Sequence, residues 1–139
     1  LSGRASRCQR EGRGFDPLCP LHKLIMNDLI KKKFVPCEGG VIPFDISEIH
    51  NYQKKVDGWS LIKNEEKIFF LEKEFKFKNF LGSQKFVNDV GKISEQEGHH
   101  PDILFGWGYA RIKITTHAIK GLSENDFILA AKIDKITNV

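Results

Sequence analysis

The sequence predicts an α+β fold: a four-stranded antiparallel sheet with three helices packed on one face, in the order α-β-β-α-β-β-α. Two segments alternate apolar and polar residues over hairpin lengths, around Phe75 and Phe77 and again around Ile112 and Ile114. Three others repeat apolar residues at helical spacing between capping or stop signals. The predicted strands come in hairpins with helices between them. That order favours helices gathered on one side of an antiparallel sheet over a parallel α/β arrangement. No nucleotide-binding glycine fingerprint, P-loop, Cys-x-x-Cys pair or internal repeat is present.

The elements follow in order. Pro36, Gly39, Gly40 and Pro43 mark a loop. In DISEIHNYQKKV, Asp45 or Ser47 can cap a helix, and Ile46, Ile49, Tyr52 or Gln53, and Val56 recur at helical spacing before Asp57-Gly58 stops it. Trp59, Leu61 and Lys63 give a short strand, and Asn64-Glu65-Glu66 a turn. From Ile68 to Lys78 the chain alternates, with Phe75 and Phe77 on one face and Glu74, Lys76 and Lys78 on the other. Asn79 to Glu97 is the longest helix, with Phe86, Val90 and Ile93 on its apolar side, Gly82 and Gly91 inside it and Gly98 as a left-handed terminator. Pro101 keeps that helix from resuming. Ile103–Trp107 and Ala110–Thr116 form the second hairpin, with Gly106 and Gly108 near its bend. Ser123-Glu124-Asn125-Asp126 has the form of a capping box before a last helix through Phe127, Ala130 and Ala131.

Composition bounds the rest. The 139 residues suffice for one core. With 40% apolar and 29% charged residues the chain is globular, not disordered, collagenous or a disulfide knot. No stretch approaches the roughly 20 apolar residues of a membrane span, and no membrane partner is expected. The net charge of +4 is unevenly placed: Arg4, Arg7, Arg10 and Arg13 are four of the five arginines. From Met26 onward one Arg, 16 Lys and 16 acids leave a net of +1. Residues 1–25 are therefore expected to be a non-native or disordered leader, and residues 26–139 a single domain. A basic nucleic-acid arm and an organellar presequence are the alternative readings of the leader. Without it no basic stripe remains, and direct nucleic-acid binding is not expected. Cys8 and Cys19 fall in the leader, leaving Cys37 as the domain's one thiol, in loop surroundings, which suits a reducing compartment.

The residues fit for chemistry are histidines. His99, His100 and His117 lie within 19 positions, while His22 is in the leader and His50 on the first helix. Imidazole titrates nearest neutral pH, at about 6.5, and so both gives and takes protons. If the second hairpin pairs tightly, the start of its first strand meets the end of its second, which brings His99 and His100 to His117. Glu95, about one turn before His99, could accept a ring N–H and fix the tautomer. Asp126 could reach the same rim from the start of the last helix. Plainer readings stand beside these: adjacent histidines exposed at a helix C-terminus, Asp126 as a cap, Glu95 as a solvated residue, Trp59 and Trp107 as core. Three His and a carboxylate could also ligate zinc, but adjacent residues rarely aim both rings at one ion and no HExxH helical pair occurs.

The run Glu95-x-x-x-His99-His100-Pro101, five residues, Trp107, nine residues, His117, eight residues, Asp126 resembles the signature of the pterin-4a-carbinolamine dehydratases, also known as dimerisation cofactors of a homeodomain transcription factor. Pro36-Cys37-Glu38-Gly39-Gly40, Gly58-Trp59 and Glu74-Phe75-x-Phe77-x-Asn79-Phe80 resemble family segments as well, so the likeness spans about residues 34–136. Gly98 and Ile103 depart from the pattern, where many members carry a polar residue and animal members an aromatic.

The resemblance implies an α+β sandwich of four antiparallel strands and three helices, in agreement with the element order read above. It implies dehydration of a 4a-hydroxytetrahydropterin to quinonoid dihydropterin, in tetrahydrobiopterin recycling, with no cofactor and no metal. Its implied catalytic residues are His99, His100, His117, Glu95 and Asp126. The implied substrate-binding residues are His99, His100, Pro101, Thr116, His117 and Trp107. The partners so implied are the pterin, a second or further copies of the chain in a homo-dimer or homo-tetramer, and a transcription factor. A protein-binding cofactor without essential catalysis is the alternative function. The implied compartment is the cytoplasm, with the nucleus as a second one.

Overall fold

A computed structural model describes residues 28–35 and 40–137. The leader, His22 and all three cysteines lie outside the described residues. Residues 28–31 are helical. They are followed by α1 (Ile46–Gln53), β1 (Ser60–Lys63), β2 (Phe69–Lys76), α2 (Phe80–Glu97), β3 (Asp102–Gly106), β4 (Tyr109–Ile114), a 3-10 turn (His117–Ile119) and α3 (Glu124–Thr137). The order is the expected one, with the helical residues 28–31 and the 3-10 turn added. The three residues of the 3-10 turn are too few to show a periodicity.

The four strands form one antiparallel sheet in the order β1-β2-β4-β3. The register pairs Leu71 with Ile114, Phe75 with Ala110 and Ile103 with Ile112. One face therefore carries Leu71, Phe75, Ala110, Ile112 and Ile114, all buried against the helices. The other carries Glu74, Lys76 and Arg111, where Glu74 pairs with both cations. The two neighbouring cations hold the Glu74 carboxyl below its ordinary range. Helix α2 lies over β3 and β4 and beside α3. Phe86 and Val90 face the core as expected, and the small Ser83 and Ser94 flank them on the same helix, also buried. Both serine hydroxyls satisfy themselves on backbone carbonyls, Ser94 on Val90 at 2.8 Å and Ser83 on Gly106 at 2.7 Å.

The ends of the elements are chemically explicit. Asp45 and Glu48 form a reciprocal capping box at α1. Asn79 caps α2 by accepting from the Gly82 N–H at 2.8 Å. Gly98 ends α2 at φ 63°, a left-handed conformation that releases His99 and His100 from the helix. At the far end of the second hairpin, Gly108 sits at φ 77° and its carbonyl accepts from the Phe77 N–H at 2.8 Å.

One buried ion pair ties the layers together. The Asp134 carboxylate, from α3, accepts from Lys73 of β2 at 2.7 Å and from the Trp59 indole at 3.0 Å. Burial pushes the Asp134 carboxyl above its ordinary value, and the Lys73 ammonium and the Trp59 N–H pull the other way.

Lys73→Met removes the strongest counterweight and is expected to lower stability by about 3 kcal/mol at pH 7, the cost of a buried charge left without its partner. A raised native pKa means that the native state holds the proton more tightly than the unfolded chain. The carboxyl's contribution is then fully present below the unfolded value and is lost as pH rises through the native one. Urea unfolding at pH 4 and pH 7 should therefore find a smaller loss at pH 4; an equal loss at both would refute the assignment.

Candidate active site

The loop after α2, the end of β4 and the start of α3 meet around one recess of about 580 Å³. It is lined by His99, His100 and His117 together with Gly98, Thr115 and Thr116, and by Phe34, Val35, Glu97, Ala118 and Asn125. Antiparallel pairing of β3 with β4 is what brings the histidines together. Asp102, two residues after His100, pairs with Lys113, which is four residues before His117. An isolated bridge between Thr116 and Gly121 then closes the loop that carries His117.

Asp126 organises this rim. Its carboxylate is fully buried. Oδ1 accepts from the His99 Nε2 position at 2.8 Å. Oδ2 accepts from the Thr116 hydroxyl at 2.7 Å, from the Ser123 N–H at 2.7 Å and from the Ser123 hydroxyl at 3.3 Å. A carboxylate only accepts, so the hydrogen of this bond belongs to the His99 Nε2, and Nδ1 is the ring nitrogen not engaged by Asp126. The contact from Oδ2 to the Ser123 N–H is half of a capping box. Asp126 thus serves as a cap through Oδ2 and meets His99 through Oδ1.

The other expected residues fall out as follows. Glu95 bonds His100, not His99: its Oε1 lies 2.8 Å from the His100 Nε2, and both side chains are well exposed. The helical turn from Glu95 ends at Gly98, and the left-handed residue there swings His99 inward to Asp126 and leaves His100 outside. His117 is exposed in its 3-10 turn, and its ring makes no hydrogen bond among the described residues. Thr116 lines the recess, but its hydroxyl hydrogen is committed to Asp126. Pro101 is half-buried and is not part of the lining. Trp107 is not brought to the site: it sits at the β3–β4 turn, 72% exposed. A hairpin of five residues, at about 3.4 Å each, puts it at the far end from the histidines. It is not a core residue either, whereas Trp59 is. Among the described residues no group of three or more His, Cys, Asp or Glu side chains is placed to hold a metal ion. No helix there is long and apolar enough to cross a membrane.

Sequence reasoning missed Phe34, Val35, Glu97 and Asn125. Asn125 accepts from the Val35 N–H at 3.2 Å and donates to the Val35 carbonyl at 2.7 Å. Glu124 accepts from Lys32 and from the Tyr52 hydroxyl. The Lys32 ammonium lowers the Glu124 carboxyl below its ordinary value, against the effect of burial. The signal was present in Ser123-Glu124-Asn125-Asp126, where four consecutive polar residues exceed what a cap needs.

Comparison with known proteins gives a consistent result. The family model described as pterin 4 alpha carbinolamine dehydratase matches residues 43–136. A Halorhodospira halophila protein is 48% identical over 108 residues, covering 78% of this chain and 96% of its own length. A Rubrobacter xylanophilus protein is 42% identical over 111 residues, covering 80% of this chain and 100% of its own. Both carry the provisional name pterin-4-alpha-carbinolamine dehydratase. The crystal structure of a Brucella melitensis protein, described as a transcriptional coactivator/pterin dehydratase, superposes with a TM-score of 0.62 at 26% identity, covering 68% of this chain and 97% of that one.

The contrast between the two acids is measurable. Asp126→Ala strands the Ser123 N–H, the Thr116 hydroxyl and His99, at about 1–3 kcal/mol for each buried group left unpaired. A total loss of about 3 kcal/mol or more is expected by urea unfolding. Glu95→Ala, at an exposed pair, should stay within about 0.5 kcal/mol of the parent; equal losses would contradict this division.

Proposed function

The chain belongs to the pterin 4 alpha carbinolamine dehydratase family, and from that premise we propose that it dehydrates a 4a-hydroxytetrahydropterin to the quinonoid dihydropterin by histidine acid–base catalysis. The observation that carries the reading is the His99–Asp126 pair, set in a recess that His100 and His117 also line.

The chemistry balances without electron transfer. The C4a–O bond breaks, N5 gives up its proton as the C4a=N5 double bond forms, and the departing hydroxyl gains a proton and leaves as water. One group must take a proton and another must supply one, each near its working pH. With Nε2 bonded to Asp126, His99 has Nδ1 available as the base for the N5 proton. Asp126 steadies the positive charge that the ring then acquires, as the carboxylate of a catalytic triad does for its imidazole. His117, exposed at the rim with no side-chain hydrogen bond among the described residues, supplies the proton to the leaving hydroxyl. His100, held by Glu95, binds the pterin. Thr116 acts behind them, as a donor to Asp126. The physiological setting of this reading is tetrahydrobiopterin recycling in the cytoplasm.

A protein-binding role is the second reading. It is favoured by the description of the Brucella melitensis structure as a coactivator as well as a dehydratase. Such a role uses a surface and not the recess. The edge strand β3, with Leu104 57% exposed, offers a surface for a homo-dimer or homo-tetramer or for another protein.

A stopped-flow dehydration assay on the His99→Ala, His117→Ala double variant separates the two readings. Turnover should fall by at least about 10²–10⁴-fold, the usual worth of acid–base groups, while the mass in light scattering stays that of the parent. Unchanged turnover would remove the histidine mechanism.

A further inference from the structure

The segment just before the first loop meets the recess from a side that the histidine mechanism does not use. Leu29 is buried in the core and anchors the helical residues 28–31. Six residues later, Val35 is clamped through both its N–H and its carbonyl by the Asn125 side chain. Between them, Lys32 is paired with Glu124. Phe34 is therefore held between two fixed points.

Its ring lies edge-to-face with the His99 imidazole, centroids 5.7 Å apart at 63°. It also contributes to the lining of the recess. The Lys132 ammonium stands 5.4 Å from its centroid and is ion-paired with Glu97, another lining residue. One turn of α3 thus holds the arrangement from beneath: Glu124 takes Lys32, Asn125 takes Val35 and Asp126 takes His99.

We propose that Phe34 is a positioning and specificity residue of this site, which keeps the His99 ring seated on Asp126 and gives the recess an apolar wall for a flat fused-ring heterocycle. Two contacts fix the His99 ring. The hydrogen bond to Asp126 sets which nitrogen is bare, and the Phe34 edge limits rotation of the ring about that bond. The specificity half of the proposal rests on the dehydratase reading, and the positioning half does not.

The test is Phe34→Ala, with Phe34→Tyr as the conservative variant and Asn125→Ala as a variant that frees the segment while keeping the ring. With the carbinolamine as substrate, Phe34→Ala should raise KM on the order of tenfold or more, as expected for lost apolar contact in a pocket. It should lower kcat several-fold, and Phe34→Tyr should restore both. Asn125→Ala should move KM the same way. Nitrogen-15 NMR of the His99 ring supplies a readout independent of turnover: a single Nε2–H tautomer in the parent, and a mixed or shifted one in Phe34→Ala. Urea unfolding checks that each variant folds, and a Phe34→Ala chain that does not fold leaves Asn125→Ala and its His99 spectrum to decide. An active parent with unchanged KM, kcat and His99 spectrum in the variants would overturn the proposal and leave the dehydratase reading standing. An inactive parent would remove that reading and the specificity half with it, while the spectrum still decides the positioning half.

Discussion

A buried carboxylate is costly unless it is fully paired, and Asp126 is the point at which this chain meets that constraint. Its two oxygens collect donors from the loop after α2, from the end of β4 and from the residue before α3. None of the three donor residues, His99, Thr116 and Ser123, lies within a helix or a named strand. One of the four hydrogen bonds that satisfy the charge also holds the His99 ring by its Nε2. Fold and chemistry are thus coupled at one side chain, and a change that frees the imidazole also uncaps a helix.

Three neighbours on one helical turn divide the labour. Glu124 and Asn125 hold the segment that ends at Val35, and Asp126 holds the histidine rim. Because consecutive helical residues point about 100° apart, one turn reaches three directions without competition. That geometry explains why the start of α3 is polar although the stretch Phe127–Ala131 that follows is buried. The second buried carboxylate, Asp134, lies two turns on and joins α3 to Trp59, just before β1, and to β2, away from the recess.

Much of this was legible in the sequence, and for physical reasons. Alternation in Glu74–Lys78 and in Arg111–Thr115 is set by the pleat, and it gave the sheet and its dry face. Asp45 and Gly98 act locally, so the start of α1 and the end of α2 could be read closely, whereas α1 ends at Gln53, three residues before the expected Val56, and α3 runs on to Thr137. The convergence of His99, His100 and His117 followed from hairpin geometry alone. What could not be read was partner choice across space. Local spacing paired Glu95 with His99, but the left-handed turn at Gly98 redirects both rings and gives Glu95 to His100. Trp107 was drawn to the site by its place in a motif, although a strand's length separates it from the histidines. Phe34 and Asn125 touch the site through contacts roughly 65 to 90 positions apart along the chain, and no periodicity carries that information.

The most direct measurement is a crystal structure of the protein with a dihydropterin bound. The account predicts the bicyclic ring inside the recess, its N5–C4a edge about 3 Å from the bare nitrogen of His99, with the opposite nitrogen still on Asp126 and His117 turned toward the position of the leaving oxygen. A pterin seated elsewhere on the molecule, or an imidazole detached from Asp126 when the ligand is in place, would contradict it.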